Sequence, residues 1–481
     1  MPAFFITFVT TLKYTKITIA DFIYRRLSEH LPHTPTQGQA QLFRELAGFI
    51  PDTGGYKIFV IGGYAGTGKT TAIAALVSLL GELKINTLLL APTGRAAKVL
   101  SNYTGKNAFT IHKKIYRQKS LDDGIGQFVL NRNEYSDAII IVDEASMIAN
   151  GSPEQSIFGG GRLLDDLVTF VNNGKRCKLV LAGDNAQLPP VGWTQSPALD
   201  IQEMHRYGLS GHTLLTDVVR QAAQSGILTN ATLLREHIEH NIPQLPAFSF
   251  HPFPDVELIT GGEVMEKLSE AYDRYGDRET IVVCRSNKRA NRYNQGIRAK
   301  IQYREEQLTP GDRIMVVKNA YQNLAGDMDF IANGDIADLM RIRKYEERYG
   351  LHFAEAELRF PDYNNTELTA KILLDALLSE TPSLSSDRQR QLFLDISEDY
   401  AHISSRQKRY RAVREDAYYN ALQIKYAAAV TCHKAQGGQW KAVFLDYPFF
   451  NDAPLSIDDL RWLYTAFTRA TEKLYLVNFK N

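Results

Sequence analysis

The chain has 481 residues, of which 44% are hydrophobic and 23% are charged, and its formal net charge at pH 7 is +1. This composition predicts a folded protein of two to four domains and excludes a chain that is disordered throughout. The charge balance excludes a surface that is basic everywhere, although a local basic groove would suffice to bind nucleic acid. Cys177, Cys284 and Cys432 are far apart, which excludes a disulfide framework and a C-x-x-C zinc site and favours a reducing, cytoplasmic location.

The chain begins with an apolar stretch, MPAFFITFVTTLKY, that Lys13 interrupts. The stretch is too short to cross a bilayer, and it lacks the order of regions found in a signal peptide. We therefore expect residues 1–23 to form an N-terminal extension, either a strand or a segment upstream of the true start, and we expect no membrane association. Helical patterning follows over residues 20–50.

Strand, polar turn and helix then alternate along the chain. The strand-like runs with their turns are YKIFVIGGY (56–64), INTLLLAPTGRAAKVLS (85–101), DAIIIVDEASMI (137–148) and CKLVLAGDNAQLPPVG (177–192). This alternation predicts an open parallel sheet flanked by helices. Ligands of such sheets bind beyond the carboxyl ends of the strands, where all of these polar turns are expected to lie.

A second alternating stretch begins near residue 215. Its main segments are ETIVVCRSNKRANRYNQGIR (279–298), YAAAVTCHKAQGGQWKAVFLDY (426–447) and WLYTAFTRATEKLYLVNF (462–479). Between them, apolar and polar residues alternate and are broken by Gly-Asp and Asn-Gly turns, which is typical of antiparallel strands. The predicted fold is therefore α/β, with two parallel-sheet domains and a β-rich insertion near 310–425 in the second.

The stretch GYAGTGKT, from Gly63 to Thr70, matches the phosphate-binding pattern G-x-x-x-x-G-K-[ST] and lies between a strand and a helix. Backbone N–H groups of such a loop bind phosphates at the N-terminus of the helix, and the alternative is a glycine-rich turn. Lys69 would reach the β- and γ-phosphates of a nucleoside triphosphate, and the Thr70 hydroxyl would ligate Mg²⁺. The predicted nucleotide-binding residues of this loop are Gly63, Ala65, Gly66, Thr67, Gly68, Lys69, Thr70 and Thr71.

Two acids, Asp143 and Glu144, end the aliphatic strand in IIIVDEAS. Acids at a strand end are often solvated turn residues. Beside a phosphate loop, however, Asp143 can supply a second Mg²⁺ ligand, and Glu144 can orient or deprotonate an attacking water. Together with the loop, the acids predict magnesium-dependent hydrolysis of a nucleoside triphosphate.

The order of eight sequence blocks resembles that of superfamily 1 helicases of the B type, specifically the RecD/Dda-like DNA helicases, from about Gln39 to Leu476. The resemblance implies two RecA-like motor domains, with a β-hairpin insertion in the first and an SH3-like insertion in the second. The bounds that we expect are 24–215 for motor 1, with a strand-separating pin at 117–134; 216–309 and 426–481 for motor 2; and 310–425 for the insertion.

The resemblance also assigns residues to the nucleotide. Gln39, in PTQGQAQLF, stands where the family reads adenine, although a helix-surface glutamine is the alternative. Gln187, in LAGDNAQLPPVG, stands where the family senses the γ-phosphate. Arg220 (in LTDVVRQ) and Arg469 (in YTAFTRATEKL) stand where the family directs guanidinium groups at the γ-phosphate, the alternative being surface arginines in ion pairs.

Further blocks resemble those that contact single-stranded DNA in the family. The residues at these positions are Thr93, Arg95, Lys98, His112, Asn287, Lys318, Thr431 and His433. The alternatives are a helix cap for Thr93 and for Asn287. Arg95 and Lys98 could instead be solvated cations, and His112 could be structural. In AVTCHKAQGGQW, Gly437 is expected near the nucleotide, while Ala435 and Gln439 depart from the serine and glutamate that the family often has.

The resemblance implies an ATP- and Mg²⁺-dependent DNA helicase that moves 5′ to 3′ on single-stranded DNA. Duplex junctions are its expected substrates, single-stranded-DNA-binding or repair proteins are candidate partners, and we expect a monomer that acts in DNA repair and recombination. An Asp-Asp-Gly turn within 117–134 predicts the pin hairpin, where Phe128 would either stack on a base or pack within the protein. The basic run 406–416 is interpreted as a solvated helix face, or alternatively as a border of the DNA path.

Other functions stay open at this point. A Pif-type helicase shares most of the motifs, and a DNA-stimulated ATPase could remodel protein–DNA complexes without unwinding. A nuclease subunit would need a partner chain, because the sequence offers no clustered carboxylates of a nuclease site beyond Asp143 and Glu144. A kinase-like P-loop enzyme is disfavoured because it would need neither Gln187 nor Arg469.

Overall fold

The computed structural model describes residues 18–54, 57–118, 128–151, 161–218, 224–320, 331–448 and 454–479. Arg220, the tip of the predicted pin and most of the predicted N-terminal extension lie outside these residues. By its internal contacts the chain divides into two compact units. The first comprises Met1–Lys119, Gln127–Pro254 and Pro454–Thr468, and the second comprises Ser120–Gly126, Asp255–Ala453 and Arg469–Asn481.

The helices are numbered in chain order. They are α1 (Ile19–Glu29), α2 (Gln37–Phe49), α3 (Lys69–Glu82), α4 (Gly94–Thr104), α5 (Ile111–Ile115), α6 (Leu163–Asn172), α7 (Ile201–His205), α8 (Gly226–Glu239), α9 (Val264–Tyr275), α10 (Asn287–Lys300), α11 (Ser386–Asp399), α12 (Arg406–Glu415), α13 (Cys432–Ala435) and α14 (Ile457–Phe467). Over the described ranges, no helix has the length and apolarity that a membrane crossing requires.

The strands are numbered in the same way. They are β1 (Lys57–Gly63), β2 (Asn86–Ala91), β3 (Ala108–Thr110), β4 (Tyr116–Gln118), β5 (Phe128–Leu130), β6 (Ala138–Val142), β7 (Lys178–Gly183), β8 (Leu209–Leu215), β9 (Val256–Ile259), β10 (Thr280–Cys284), β11 (Arg313–Val316), β12 (Ile336–Arg348), β13 (Leu351–Phe360), β14 (Thr366–Leu373), β15 (Leu422–Tyr426), β16 (Ala429–Thr431), β17 (Trp440–Asp446) and β18 (Ala470–Val477).

The first unit is built on a six-stranded parallel sheet in the order β3-β2-β6-β7-β1-β8. The central strands β6 and β7 are buried along their whole length, and β1 is buried after its first residue. This burial explains their nearly unbroken aliphatic runs, because helices cover both faces of a parallel sheet. The loops that follow β1, β6 and β7 leave the same edge of the sheet, and they carry the phosphate loop, the acid pair and the block around Gln187.

A two-stranded antiparallel ribbon of β4 and β5 also belongs to the first unit. Arg117 pairs with Val129, and Gln118 pairs with Phe128. This ribbon is the base of the hairpin predicted over 117–134, whose tip is outside the described residues. The side chain of Phe128 is only 5% exposed, so packing within the protein accounts for this aromatic residue.

The second unit contains a five-stranded parallel sheet in the order β16-β10-β17-β18-β9. Strands β11 to β15 form a closed barrel, in which β14 and β15 pair in parallel and the other neighbours pair in antiparallel. The predicted α/β class, with two RecA-like parallel sheets and an SH3-like barrel inserted in the second, is confirmed.

Helices α11 and α12 follow β14 and pack against the β12–β13 hairpin. Their shared core contains Phe353 from the hairpin, Leu392 and Ile396 from α11, and Val413 from α12. Val413 is the only fully buried residue of α12. The remaining surface of α12 is partly or fully exposed, in agreement with the interpretation of 406–416 as a solvated helix face.

Candidate nucleotide and DNA site

The phosphate loop connects β1 to α3. Gly66 and Gly68 both have a φ of +75°, a left-handed conformation that glycine adopts without a steric penalty. A Cβ atom at Gly66 would lie 3.0 Å from the side chain of Leu228 on α8, so this position has little room for one. The Thr67 hydroxyl donates a 2.8 Å hydrogen bond to the carbonyl of Tyr64, which closes the turn. The loop is therefore shaped before any nucleotide is considered.

Lys69 is the first residue of α3, and its Nζ donates a 3.1 Å hydrogen bond to the Gly63 carbonyl. Burial and the charge of Glu144 raise the pKa of Asp143 to about 6, whereas the Lys69 charge lowers it. Burial also raises the pKa of Asp184, again against the influence of Lys69. The lysine is thus within electrostatic reach of carboxyl groups from two other loops of the same sheet edge.

Three side chains at this edge bury a polar atom that has no hydrogen-bond partner in the described part of the chain. They are Glu144 through Oε2, Ser146 through Oγ and Gln187 through Oε1. Buried polar atoms are nearly always paired, so this cluster indicates a site for a polar ligand. Ser146 was missed in the sequence, although it stands two positions after Glu144 in the same strand-end block.

The residues at this edge fit Mg²⁺. That ion is usually held by one or two carboxylates together with substrate phosphates and water. Thr70, half-buried in the first turn of α3, and the buried Asp143 would hold it. Across the described ranges, no group of three or more His, Cys, Asp or Glu side chains could hold a metal ion. Phosphates of a bound nucleotide and water would complete the coordination of the ion.

Gln39 is fully buried beside the phosphate loop. Its Oε1 accepts from the Thr36 N–H at 3.1 Å, and its Nε2 lies 3.4 Å from the Thr67 carbonyl and 3.5 Å from the Gly68 carbonyl. The helix-surface alternative is therefore wrong. Adenine reading stays a prediction, and it would require the amide to exchange these partners for the base.

Helix α14 belongs to the first unit, although it lies between two strands of the second sheet in the sequence. The Tyr464 hydroxyl donates to Asp184 Oδ2 at 2.7 Å and accepts from the Ala65 N–H at 2.8 Å. The next residue, Thr465, accepts from the Leu188 N–H at 2.8 Å. Sequence reasoning took only Arg469 from this block, because no local pattern indicates which loop a helix will contact.

A cation lies behind the phosphate loop. The guanidinium carbon of Arg235, on α8, is 4.7 Å from the ring centroid of Tyr64. Its charge also lowers the pKa of Tyr464, against the dominant raising effect of burial. Arg235 was missed because a single arginine in an amphipathic helix carries no functional signal in the sequence.

In the second unit, Arg469 is only 3% exposed, so the surface-arginine alternative is wrong. Its Nη1 donates a 3.1 Å hydrogen bond to the Gly438 carbonyl, and its own carbonyl accepts from the Trp440 N–H at 2.9 Å. The neighbouring Gly437 has a φ of +70°, which favours glycine at this turn. The structure thus joins two blocks that the sequence placed apart.

The predicted DNA-contacting residues of the first unit lie after β2 and β3, which are adjacent strands. Thr93 caps α4 by accepting from the Ala96 N–H at 3.2 Å, as its alternative predicted. Arg95 and Lys98 follow within the same helix. Burial lowers the pKa of His112 to about 4, so this residue would contact DNA as a neutral ring and not as a cation.

The corresponding residues of the second unit come from two paired strands and the barrel. Cys284 pairs with Thr431, which places the ends of β10 and β16 side by side and brings Asn287 and His433 to one sheet edge. Ser286 caps α10, so the cap alternative for Asn287 is wrong. Lys318 follows β11 of the barrel.

Comparisons with known proteins agree with this description. Residues 34–246 match the AAA domain family, and residues 426–477 match the UvrD-like helicase C-terminal domain. The chain is 32% identical over 201 residues to the ATP-dependent RecD2 DNA helicase of Deinococcus radiodurans, covering 41% of this chain and 24% of that protein. It is 24% identical over 464 residues to the ATP-dependent DNA helicase dda of Enterobacteria phage T4, and the match covers 92% of this chain and 99% of that protein. A crystal structure of Pif1 helicase from Bacteroides with ADP-AlF3 and ssDNA has a TM-score of 0.45 at 15% identity, covering 93% of each chain.

A phosphate loop and a strand-end acid pair at one edge of a parallel sheet define a P-loop NTPase. More narrowly, the chain is similar to superfamily 1 helicases of the RecD and Dda type. The chain spans 24% of the length of its Deinococcus relative, so the activity of the whole protein is a matter for proposal.

Proposed function

We propose that the chain is an ATP-dependent DNA helicase that moves 5′ to 3′ along single-stranded DNA. The observation that carries this proposal is the meeting of Lys69, Asp143 and the buried Gln187 at one edge of the first sheet. Kinship with two ATP-dependent DNA helicases supports the substrate.

The chemistry follows from the side chains of the first unit. Backbone N–H groups of the phosphate loop bind the phosphates of ATP, and Lys69 exchanges the Gly63 carbonyl for the β- and γ-phosphates. Thr70 and Asp143 would hold magnesium, which would neutralise phosphate charge. Glu144 orients the attacking water and accepts its proton through the buried Oε2, while Gln187 donates from its amide to the γ-phosphate.

Movement requires that ATP hydrolysis change the contacts between the motors and DNA. In our proposal Arg220 and Arg469 bind the γ-phosphate, and because Arg469 belongs to the second motor, its contact draws the two motors together while ATP is present. The DNA-contacting residues then hold phosphates and sugars of the strand, so translocation is independent of sequence and weakens with salt. The 5′ to 3′ direction rests on the family resemblance.

Strand separation is assigned to the pin at 117–134. Because Phe128 is buried at its base, the separating contact falls to the tip. The second candidate is a DNA-stimulated ATPase that remodels protein–DNA complexes without unwinding them. Unwinding assays distinguish the two.

The test is ATP hydrolysis with and without single-stranded DNA, followed by unwinding of duplexes that carry a 5′ or a 3′ tail. We expect DNA to stimulate hydrolysis and only the 5′-tailed duplex to be unwound. Lys69→Ala should lower hydrolysis at least about a hundredfold, whereas Lys175→Ala, at an exposed position, should not. Hydrolysis that ignores both DNA and Lys69 would contradict the proposal.

A further inference from the structure

Two consecutive residues of α14 hold the loop that carries Gln187. Tyr464 donates to Asp184, three positions before Gln187, and Thr465 accepts from Leu188, one position after it. Gln187 therefore lies between two loop residues that are hydrogen-bonded to α14. Its side chain is only 5% exposed, and its Oε1 has no partner in the described ranges.

The Tyr464 hydroxyl also reaches the phosphate loop. It accepts from the Ala65 N–H at 2.8 Å while it donates to Asp184 at 2.7 Å. The other carboxylate oxygen of Asp184 accepts from the Ala186 N–H at 2.9 Å, within the same loop as Gln187. One hydroxyl group thus joins the phosphate loop to the Gln187 loop, and both of its hydrogen-bonding functions are used.

Burial makes these bonds specific to a hydroxyl. Tyr464 and Asp184 are each 1% exposed, so water cannot replace a lost partner without opening the structure. A phenylalanine at 464 would keep the ring packing. It would leave the Ala65 N–H and one oxygen of Asp184 unpaired, and it would release one of the two anchors of the Gln187 loop.

We propose that Tyr464 and Thr465 are positioning residues that set the distance between the Gln187 amide and the phosphate loop, and thereby the rate of γ-phosphate cleavage. The inference rests on the proposed function, because it takes Gln187 to act on the γ-phosphate. It adds two residues that contact neither nucleotide nor DNA in our mechanism, and it explains why this part of α14 belongs to the first unit.

The first experiment compares Tyr464→Phe with a matched control, Tyr207→Phe. Tyr207 also donates to a carboxylate, that of Asp165, and accepts a side-chain amide in the same unit, away from the phosphate loop. We expect Tyr464→Phe to lower kcat for ATP about ten- to a hundredfold, since a misplaced donor is felt mainly in the transition state. ADP affinity should change less than about threefold, and the control should keep wild-type kinetics.

The second experiment repeats the change in a Gln187→Ala background. If Tyr464 acts through Gln187, Tyr464→Phe should then lower kcat no further than about twofold. Full additivity of the two losses would overturn the inference, because a purely structural tyrosine would act independently of Gln187. Thr465→Val provides the same cycle through the second anchor if Tyr464→Phe does not fold.

The possible failures can be distinguished. A wild-type chain that does not hydrolyse ATP contradicts the proposed function. A wild-type chain that does hydrolyse ATP, with Tyr464→Phe and Thr465→Val both at wild-type kcat, contradicts only the positioning role.

Discussion

Arg235 stacks on Tyr64, with 4.7 Å between its guanidinium carbon and the centroid of the ring, and Tyr64 is itself a residue of the phosphate loop. The pair is largely buried: the side chain of Arg235 is 13% exposed and Tyr64 is 8% exposed. The contact therefore stabilises the position of Tyr64 in the phosphate loop, while Glu239, 3.9 Å from the guanidinium group, offsets part of its charge.

Replacement of Arg235 by Gln should weaken ATP binding more than it slows turnover. A cation–π contact is worth about 0.5–2 kcal/mol, so we expect the KM for ATP to rise about two- to thirtyfold while kcat stays within about twofold. Steady-state hydrolysis measures both constants. Arg274→Gln is the control, because Arg274 stacks on Tyr275 at 5.0 Å in the second unit. An unchanged KM in Arg235→Gln would show that the cation is merely structural.

The two possible roles of Gln39 predict different nucleotide preferences. If the amide reads adenine, Gln39→Ala should reduce the ratio of kcat/KM for ATP over GTP about tenfold, since a lost hydrogen bond to a base edge costs about 1–1.5 kcal/mol. If the amide only hydrogen-bonds to the Thr67 and Gly68 carbonyls, Gln39→Ala should lower kcat/KM for ATP and for GTP by the same factor. Parallel hydrolysis assays with both nucleotides decide between the roles.

Replacement of residues 119–127 by a short Gly-Ser linker should separate unwinding from hydrolysis. The paired base formed by β4 and β5 is retained, so the first unit should fold as before. We expect DNA-stimulated ATPase activity within about twofold of wild type and loss of unwinding on a 5′-tailed fork. Continued unwinding would show that the pin lies elsewhere or that strands are separated without one.

The barrel should lose stability as the pH rises from 3.8 towards 7. Burial raises the pKa of Asp335 from 3.8 to about 7, despite hydrogen bonds from the Tyr363 hydroxyl and the Ala332 N–H. Between these two values the folded state holds a proton that the unfolded state has released. The free energy of unfolding therefore falls with increasing pH, by up to about 1.4 kcal/mol per pH unit, and levels off above the folded pKa.

Hydrogen exchange of barrel amides between pH 5 and 8, corrected for intrinsic rates, measures this dependence. Asp335→Asn cannot ionise, so its barrel should show a flatter profile, while amides of the first sheet should behave alike in both proteins. If barrel stability depended equally on pH in the wild type and in Asp335→Asn, Asp335 would not hold its proton over this range.

The local parts of the structure could be predicted from the sequence. Aliphatic runs of four or five residues identified β6 and β7, and the glycine spacing identified the phosphate loop, because these patterns record burial and backbone geometry over a few positions. The polar turns could be placed at one sheet edge because parallel strands share their direction.

The contacts between distant segments could not be predicted. Ala65 and Tyr464 are 399 positions apart, and only the folded chain shows that a helix near the C-terminus belongs with the phosphate loop. Gln39 illustrates the same limit at shorter range. Its position at the start of α2 suggested a solvated side chain, whereas the loop after β1 covers it completely.

The backbone at Glu144 has a final consequence. Its φ of +54° and ψ of +37° lie in the left-handed region, which costs a non-glycine residue about 1–2 kcal/mol. Glycine at this position would relax the turn but remove the carboxylate that we take as the base. The melting temperature of Glu144→Gly should therefore be at least as high as that of Glu144→Ala, and both variants should be inactive in ATP hydrolysis. The strained backbone at Glu144 thus lowers stability at the position where the chain keeps its reactive carboxylate.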